Sequence, residues 1–111
     1  LLLPSRCESF GIVFCEAAAF GIPVIAAETG GVPEVVRQDE NGILLPQDAG
    51  GIDYAKIIYN IYHDESRYQE LVRNSRKAYD ERLNWEDWAR NMAPLIEPYA
   101  IHPRIPEPPT P

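Results

Sequence analysis

Three short apolar runs in the first half of the chain predict three buried β-strands. They are Leu1–Leu3, Pro23–Ala27 and Ile43–Leu45, and each is closely followed by a proline or a glycine-containing turn. Runs of this length and composition are typical of strands that are covered on both faces of a parallel sheet. Because such a strand needs neighbours on both sides, a chain that begins with one is expected to be a piece of a longer protein.

Two helices are predicted between these strands. The first spans about Phe10–Phe20, with Ser9 as its N-cap and Gly21 as its C-terminal stop. The second is short and runs from Pro33, at its first position, through Arg37. The order strand, helix, strand, helix, strand predicts right-handed crossovers and a parallel sheet, in which ligands bind at the carboxyl ends of the strands.

The second half of the chain is predicted to be helical. One helix covers Ile52–Tyr62, a second is capped by Asp64, and a third is capped by Asn84. Pro94 falls where the third helix should continue, so a kink or an early end is expected. Helical spacing places two apolar stripes on the inner faces of the second and third helices: Tyr68, Leu71, Val72, Ser75 and Tyr79, and then Trp85, Trp88, Ala89 and Met92.

The predicted fold class is α/β, with a three-layer, Rossmann-like parallel sheet followed by C-terminal helices. The length of 111 residues suits one domain, which we place at residues 1–101, with a flexible, proline-rich tail at 102–111. The net charge of −7 argues against a nucleic-acid partner, although backbone N–H groups could still hold one nucleotide. No apolar run approaches the ~20 residues that span a bilayer.

The cysteines and histidines do not form a metal-binding pattern. Cys7 and Cys15 lie outside any CxxC motif, and His63 and His102 are far apart in sequence, so neither a metal nor a cofactor is predicted. Two such cysteines are typical of free thiols in a reducing compartment, which predicts a cytoplasmic location. His63 is interpreted as a helix-end residue, and Arg6 as a loop cation.

Two glutamates bracket the start of the first predicted helix. Glu8 lies just before it, and Glu16 lies about two turns into it, among small and apolar residues that predict a helix largely covered by protein. The N–H groups at the helix start favour an anion such as a diphosphate. Ionised carboxylates accept hydrogen bonds from hydroxyl groups but repel phosphate. The layout therefore favours a ligand with hydroxyls at both ends and phosphates between them, as in a nucleotide sugar.

Several spaced motifs resemble the C-terminal donor-binding domain of the family 4 glycosyltransferases, the retaining GT-B class. The resemblance covers about residues 1–100 and includes the stretches PSRCESFGIVFCEAAAFGIPVIAAETGGVPEVV, NGILLP and WEDWA. Within them, Glu8 and Glu16 form an E-x7-E motif, Gly21–Val24 a GxPV step and Gly30–Glu34 a GGxPE turn.

The resemblance implies roles for individual residues. Glu16 would hold the ribose hydroxyls and Glu8 would contact the transferred sugar as the catalytic-site glutamate. The backbone at Phe10–Ile12, which includes Gly11, would lie against the sugar and diphosphate. Gly30 and Gly31 would line the cleft, although a plain β–α turn explains this pair equally well.

The resemblance also implies a function for the parent protein, which would transfer a sugar from a nucleotide-diphosphate sugar to an acceptor. The acceptor-binding N-terminal GT-B domain is missing from this chain, so the piece alone is expected to be inactive, and any membrane association would come through the parent. A second hypothesis is a non-catalytic fragment or subunit that binds a nucleotide sugar or a partner chain. A third is an epimerase or phosphorylase of the same fold, and the E-x7-E spacing disfavours the epimerase.

Overall fold

Three parallel strands form one sheet in the computed structural model, which describes residues 1–100. The strands are β1 (Leu2–Leu3), β2 (Val24–Ala27) and β3 (Gly42–Leu45), and they lie in the order β1-β2-β3. Ile25 of β2 is paired with Leu2 on one side and Ile43 on the other. The predicted parallel sheet is thus confirmed. The predicted tail at 102–111 lies beyond the part of the chain that the structure describes.

Two helices connect the strands, as predicted, but both differ from their predicted bounds. Helix α1 covers Ile12–Ala19, and its N-cap is Gly11 rather than Ser9. Gly11 has φ 85° and ψ 56°, a left-handed conformation that keeps the preceding residues out of the helix. Helix α2 is a single turn, Val32–Val35, and it ends because Val36 is extended.

Helices cover both faces of the sheet. On one face, Phe14 of α1 and Val32 and Val35 of α2 pack with Val24 and Ala26 of β2. On the other face, helices α3 (Gly51–Tyr62) and α4 (Glu65–Ala78) supply the apolar side chains. That second cluster consists of Ile43, Leu45, Tyr54, Ile61 and Leu71. The two clusters confirm the predicted three layers.

Both predicted caps in the helical half are present. The Asp64 carboxylate accepts a hydrogen bond from the backbone N–H of Arg67 at 3.0 Å, and the Asn84 side-chain oxygen accepts one from the N–H of Asp87 at 2.9 Å. His63 is the C-cap of α3, in agreement with its interpretation as a helix-end residue. In the predicted stripe of α4, Leu71 and Ser75 are buried, but Tyr68 is exposed.

A π-helical segment, Tyr79–Leu83, joins α4 to the last long helix, α5 (Trp85–Ile96), and a 3₁₀ turn follows at Glu97–Tyr99. The prediction of a buried stripe on α5 is wrong, because Trp85 is 66% exposed and Trp88 48% exposed. Helix α5 also continues through Pro94, so the early end, one of the two outcomes expected there, is wrong. The hydrogen bond that this proline forfeits involves the carbonyl of Arg90, which lies in an exposed turn where water can replace it.

Within residues 1–100, every helix is too short or too polar to cross a membrane.

Candidate functional site

The loop that carries Glu8 follows the carboxyl end of β1 and rests on the turn that follows β2. The Thr29 hydroxyl donates a hydrogen bond to the carbonyl of Arg6 at 3.2 Å, and the backbone N–H of Gly31 donates one to the carbonyl of Glu8 at 3.2 Å. Thr29 is only 7% exposed. Its structural role was missed in the sequence, because nothing near Thr29 signals a contact with a residue 23 positions earlier.

Gly30 and Gly31 allow the two loops to approach backbone to backbone. A methyl group on Gly30 would overlap the carbonyl oxygen of Glu8, and one on Gly31 would overlap the carbonyl oxygen of Ser9. Gly30 also has a positive φ of 52°, whereas φ of Gly31 is −83°, which any residue can adopt. The structure therefore brings both glycines to the Glu8 loop, as close packing partners of its backbone.

The N-terminus of α1 is open. No side chain caps it, and its first turn holds no acidic residue. The N–H of Phe14 bonds to the Gly11 carbonyl at 3.0 Å, which leaves the N–H groups of the preceding positions directed along the helix axis. A methyl group on Gly11 would lie 2.5 Å from the Phe14 ring, so only glycine suits this position. The arrangement offers backbone donors and a positive dipole end to an anion.

Glu8 and Glu16 flank this N-terminus. Glu8 is half-buried. Its Cγ lies close to Gly11, since a methyl group added to Gly11 would be 3.5 Å from it. The Glu8 side chain therefore begins beside the N-terminus of α1. Glu16 lies five residues beyond the N-cap, roughly 7–8 Å along the axis, which is nearer than predicted because α1 starts later. The salt bridges in the described part of the chain include neither carboxylate.

The expectation that α1 is largely covered by protein is wrong for one of its faces. Ile12, Val13 and Phe20 are exposed together with Glu16, whereas Phe14, Ala17 and Ala18 are buried. Glu16 is thus a water-exposed carboxylate and carries no burial penalty that a partner must relieve.

Glu16 also lines an apolar groove of about 220 Å³ between α1 and the start of α5. We call this the aromatic groove. The Trp85 and Trp88 rings, 5.8 Å apart and inclined at 79°, form one wall. Its remaining lining residues include Phe10, Ile12, Phe20, Tyr79 and Leu83. The groove was missed in the sequence because the tryptophans were assigned to the core.

Cys15 lacks the environment of a nucleophile. Cys7 and Cys15 are both free thiols, the first exposed and the second half-buried. Burial raises the pKa of Cys15, and the nearby charge of Arg82 offsets only part of that effect. In the part of the chain covered by the structure, no three His, Cys, Asp or Glu side chains could jointly hold a metal ion.

The domain is a parallel α/β sheet in which an open helix N-terminus, with Glu8 before it and Glu16 inside its helix, lies after the carboxyl end of β1, the edge where ligands bind in sheets of this kind. The chain belongs to the family described as glycosyl transferases group 1, which it matches over residues 1–78. Among curated relatives, it is 41% identical over 93 residues to a D-inositol 3-phosphate glycosyltransferase of Streptomyces bingchenggensis. That alignment covers 84% of this chain and 20% of the relative.

Solved structures show the same GT-B domain fold. The sucrose-phosphate synthase of Thermosynechococcus elongatus superposes with a TM-score of 0.79 at 35% identity, over 88% of this chain and 24% of that one. Anabaena HepE, solved in complex with UDP-glucose, superposes with a TM-score of 0.77 at 27% identity, over 87% of this chain and 27% of HepE. The chain thus spans about a fifth of the Streptomyces relative and about a quarter of each of these structures.

Proposed function

We propose that this chain forms part of the donor site of a glycosyltransferase that moves a sugar from a nucleoside-diphosphate sugar to an acceptor. The observation that carries the proposal is the open N-terminus of α1, flanked by Glu8 and Glu16. Membership of the glycosyl transferases group 1 family supports it. So does the likeness to HepE, whose structures contain UDP or UDP-glucose.

Within this proposal, the helix N-terminus and the two glutamates each have a role. The N–H groups at the start of α1 hold the diphosphate, with Gly11 allowing close approach. Glu16 accepts hydrogen bonds from the ribose hydroxyls, and Glu8 accepts them from the sugar that is transferred. As the bond to the sugar breaks, negative charge grows on the departing diphosphate, and the helix N-terminus stabilises that charge most in the transition state.

Two finer features belong to the same proposal. Transfer with retention of the anomeric configuration is supported by the resemblance of Glu8 and Glu16 to the E-x7-E motif of retaining enzymes. NMR of the product formed by the natural enzyme tests it, since an inverted anomer contradicts it. A cytoplasmic location is supported by the free thiols of Cys7 and Cys15. Labelling of both thiols in native protein, without prior reduction, tests that location.

The rest of the site is proposed to come from an upstream GT-B domain. The apolar face of α5 supports this, because Trp85, Trp88 and Leu95 are between 48% and 66% exposed at helical spacing. The same face suits the second hypothesis, a non-catalytic subunit that docks onto a partner chain. The intact mass of the natural protein separates them: a mass near 12.5 kDa favours the subunit, and a much larger mass favours the enzyme.

Titration of the protein with UDP, GDP and ADP, followed by amide NMR, tests the donor site. We expect shifts at Phe10–Ile12, and a dissociation constant that rises at least about tenfold in Glu16→Ala, as for a lost hydrogen bond to a charged group. Glu70→Ala is the matched control, because Glu70 is an exposed helical glutamate that does not line the groove that Glu16 lines. Equal binding by both variants, or shifts that avoid α1, would refute the assignment.

A further inference from the structure

Arg82 clamps the end of α2 from a distant part of the chain. It lies in the π-helical segment, and its Nη1 and Nη2 atoms donate hydrogen bonds to the carbonyls of Glu34 and Val35, each at 3.0 Å. These are the last two residues of α2. The buried Asn41 side chain also donates to the Val35 carbonyl at 3.0 Å. A cationic fork on the last carbonyls of a helix satisfies groups that the helix itself leaves free.

Helix α2 depends on such contacts because it is only one turn long. A single turn has little stability of its own, since helix nucleation is unfavourable. Its position is therefore set by its buried side chains, Val32 and Val35, and by contacts at its two ends. The C-terminal end is held by Arg82 and Asn41, and the N-terminal end begins at Gly31, the residue that donates its N–H to Glu8.

We propose that Arg82 is a positioning residue for the donor site, because it fixes α2 and thereby holds the Thr29–Gly31 turn beneath the loop of Glu8. This inference rests on the proposed function for its consequence in ligand binding, but not for its structural part. The hydrogen bonds of Arg82 within the described chain go to Glu34 and Val35 and not to Glu8, so its proposed action runs through one helical turn and the Gly31 N–H.

The state of the Arg82 side chain agrees with a positioning role. Its Nε is buried and has no hydrogen-bond partner within the described chain, which carries a desolvation cost. The side chain therefore directs its two Nη atoms at the Glu34 and Val35 carbonyls at the expense of Nε. Burial lowers the pKa of Arg82, and the charge of Arg37 adds to the effect. A lysine offers a compact ammonium in place of the planar fork, so it should reproduce the clamp only in part.

The first measurement is amide hydrogen exchange without ligand, on wild type, Arg82→Met, Arg82→Lys and a matched control, Arg76→Met. Arg76 also donates to a helix-end carbonyl, that of Ala19 at 2.6 Å, but at the end of α1. The Gly31 N–H should exchange about tenfold faster in Arg82→Met, as for one weakened hydrogen bond. It should exchange about threefold faster in Arg82→Lys and remain within about twofold of wild type in Arg76→Met.

The second measurement is the dissociation constant for UDP, which should rise in the same order among the variants. Equal effects of Arg82→Met and Arg76→Met on Gly31 would mean that Arg82 is only a stabilising residue, and unchanged Gly31 exchange in both Arg82 variants would also overturn the inference. If Arg82→Met does not fold, Arg82→Lys decides by the same criteria. Failure of wild type to bind any nucleotide would count against the proposed function, while the exchange result would still decide the role of Arg82.

Discussion

Replacing Gly31 with alanine isolates the contact that holds the Glu8 loop. The added methyl group would overlap the carbonyl oxygen of Ser9 and lie 3.1 Å from its carbonyl carbon and 3.2 Å from the Cα of Phe10. Because φ of Gly31 is −83°, alanine can adopt the backbone conformation without strain. The substitution therefore tests the approach of the two loops and nothing else about the turn.

The size of the effect follows from three contributions. Overpacking against a backbone that must move by roughly 1 Å costs about 1–3 kcal/mol. Loss of the hydrogen bond from the Gly31 N–H to the Glu8 carbonyl, which is 3.2 Å long, costs about 0.5–1.5 kcal/mol. Alanine stabilises by about 0.4–1 kcal/mol through the unfolded chain. We expect the free energy of unfolding to fall by about 2 kcal/mol and nucleotide binding to weaken with it.

Urea unfolding followed by circular dichroism measures the change in stability, and UDP titration measures the change in the site. Gly51→Ala is the control, because a methyl group there meets nothing within 4 Å and the residue begins helix α3. That control should be neutral or slightly stabilising. If Gly31→Ala matches Gly51→Ala in stability and wild type in binding, the loops do not depend on this contact, and the explanation of the glycine pair fails.

Three further outcomes follow from burial and capping. Cys15 should react with iodoacetamide at pH 8 more slowly than the exposed Cys7, because burial raises its pKa and leaves less thiolate; faster labelling of Cys15 would contradict this. Leu71→Ala should lower the free energy of unfolding by about 2–5 kcal/mol and Trp85→Ala by under about 1 kcal/mol, because Leu71 is 2% exposed and Trp85 is 66% exposed. Similar losses for both variants in urea unfolding would place Trp85 in the core. Asn84→Ala should cost about 1 kcal/mol through loss of the cap, and an unchanged urea midpoint would show that the cap contributes nothing.

The elements that could be predicted from the sequence are those decided by nearby residues. Asp64 and Asn84 were correctly predicted as caps because a cap needs only its own side chain and an N–H three residues on. Ser9 satisfied the same local rule, yet Gly11 caps α1. The difference arises because the loop before α1 is bound to the turn after β2, a contact between segments about twenty residues apart.

Exposure was harder to predict than secondary structure. Helical spacing correctly indicated that Trp85 and Trp88 share one face of a helix, but it could not show whether anything in this chain covers that face. The same problem affected Glu16, whose apolar neighbours suggested burial although α1 is open along that side. A periodic pattern reports which residues lie together, and the surroundings depend on packing against other elements.

The candidate site depends on backbone contacts that residue identity reveals only indirectly. The positions of Glu8 and of the α1 N-terminus are set by the Gly31 N–H, the Thr29 hydroxyl and the absence of side chains at two glycines. Such contacts are stiff, because two backbones in van der Waals contact leave little room for rearrangement. A loop held in this way keeps the backbone of Glu8 in place, which would lower the entropic cost of binding a ligand there. The glycine-rich turn therefore contributes to the site by fixing the Glu8 loop, whether or not either glycine touches the ligand.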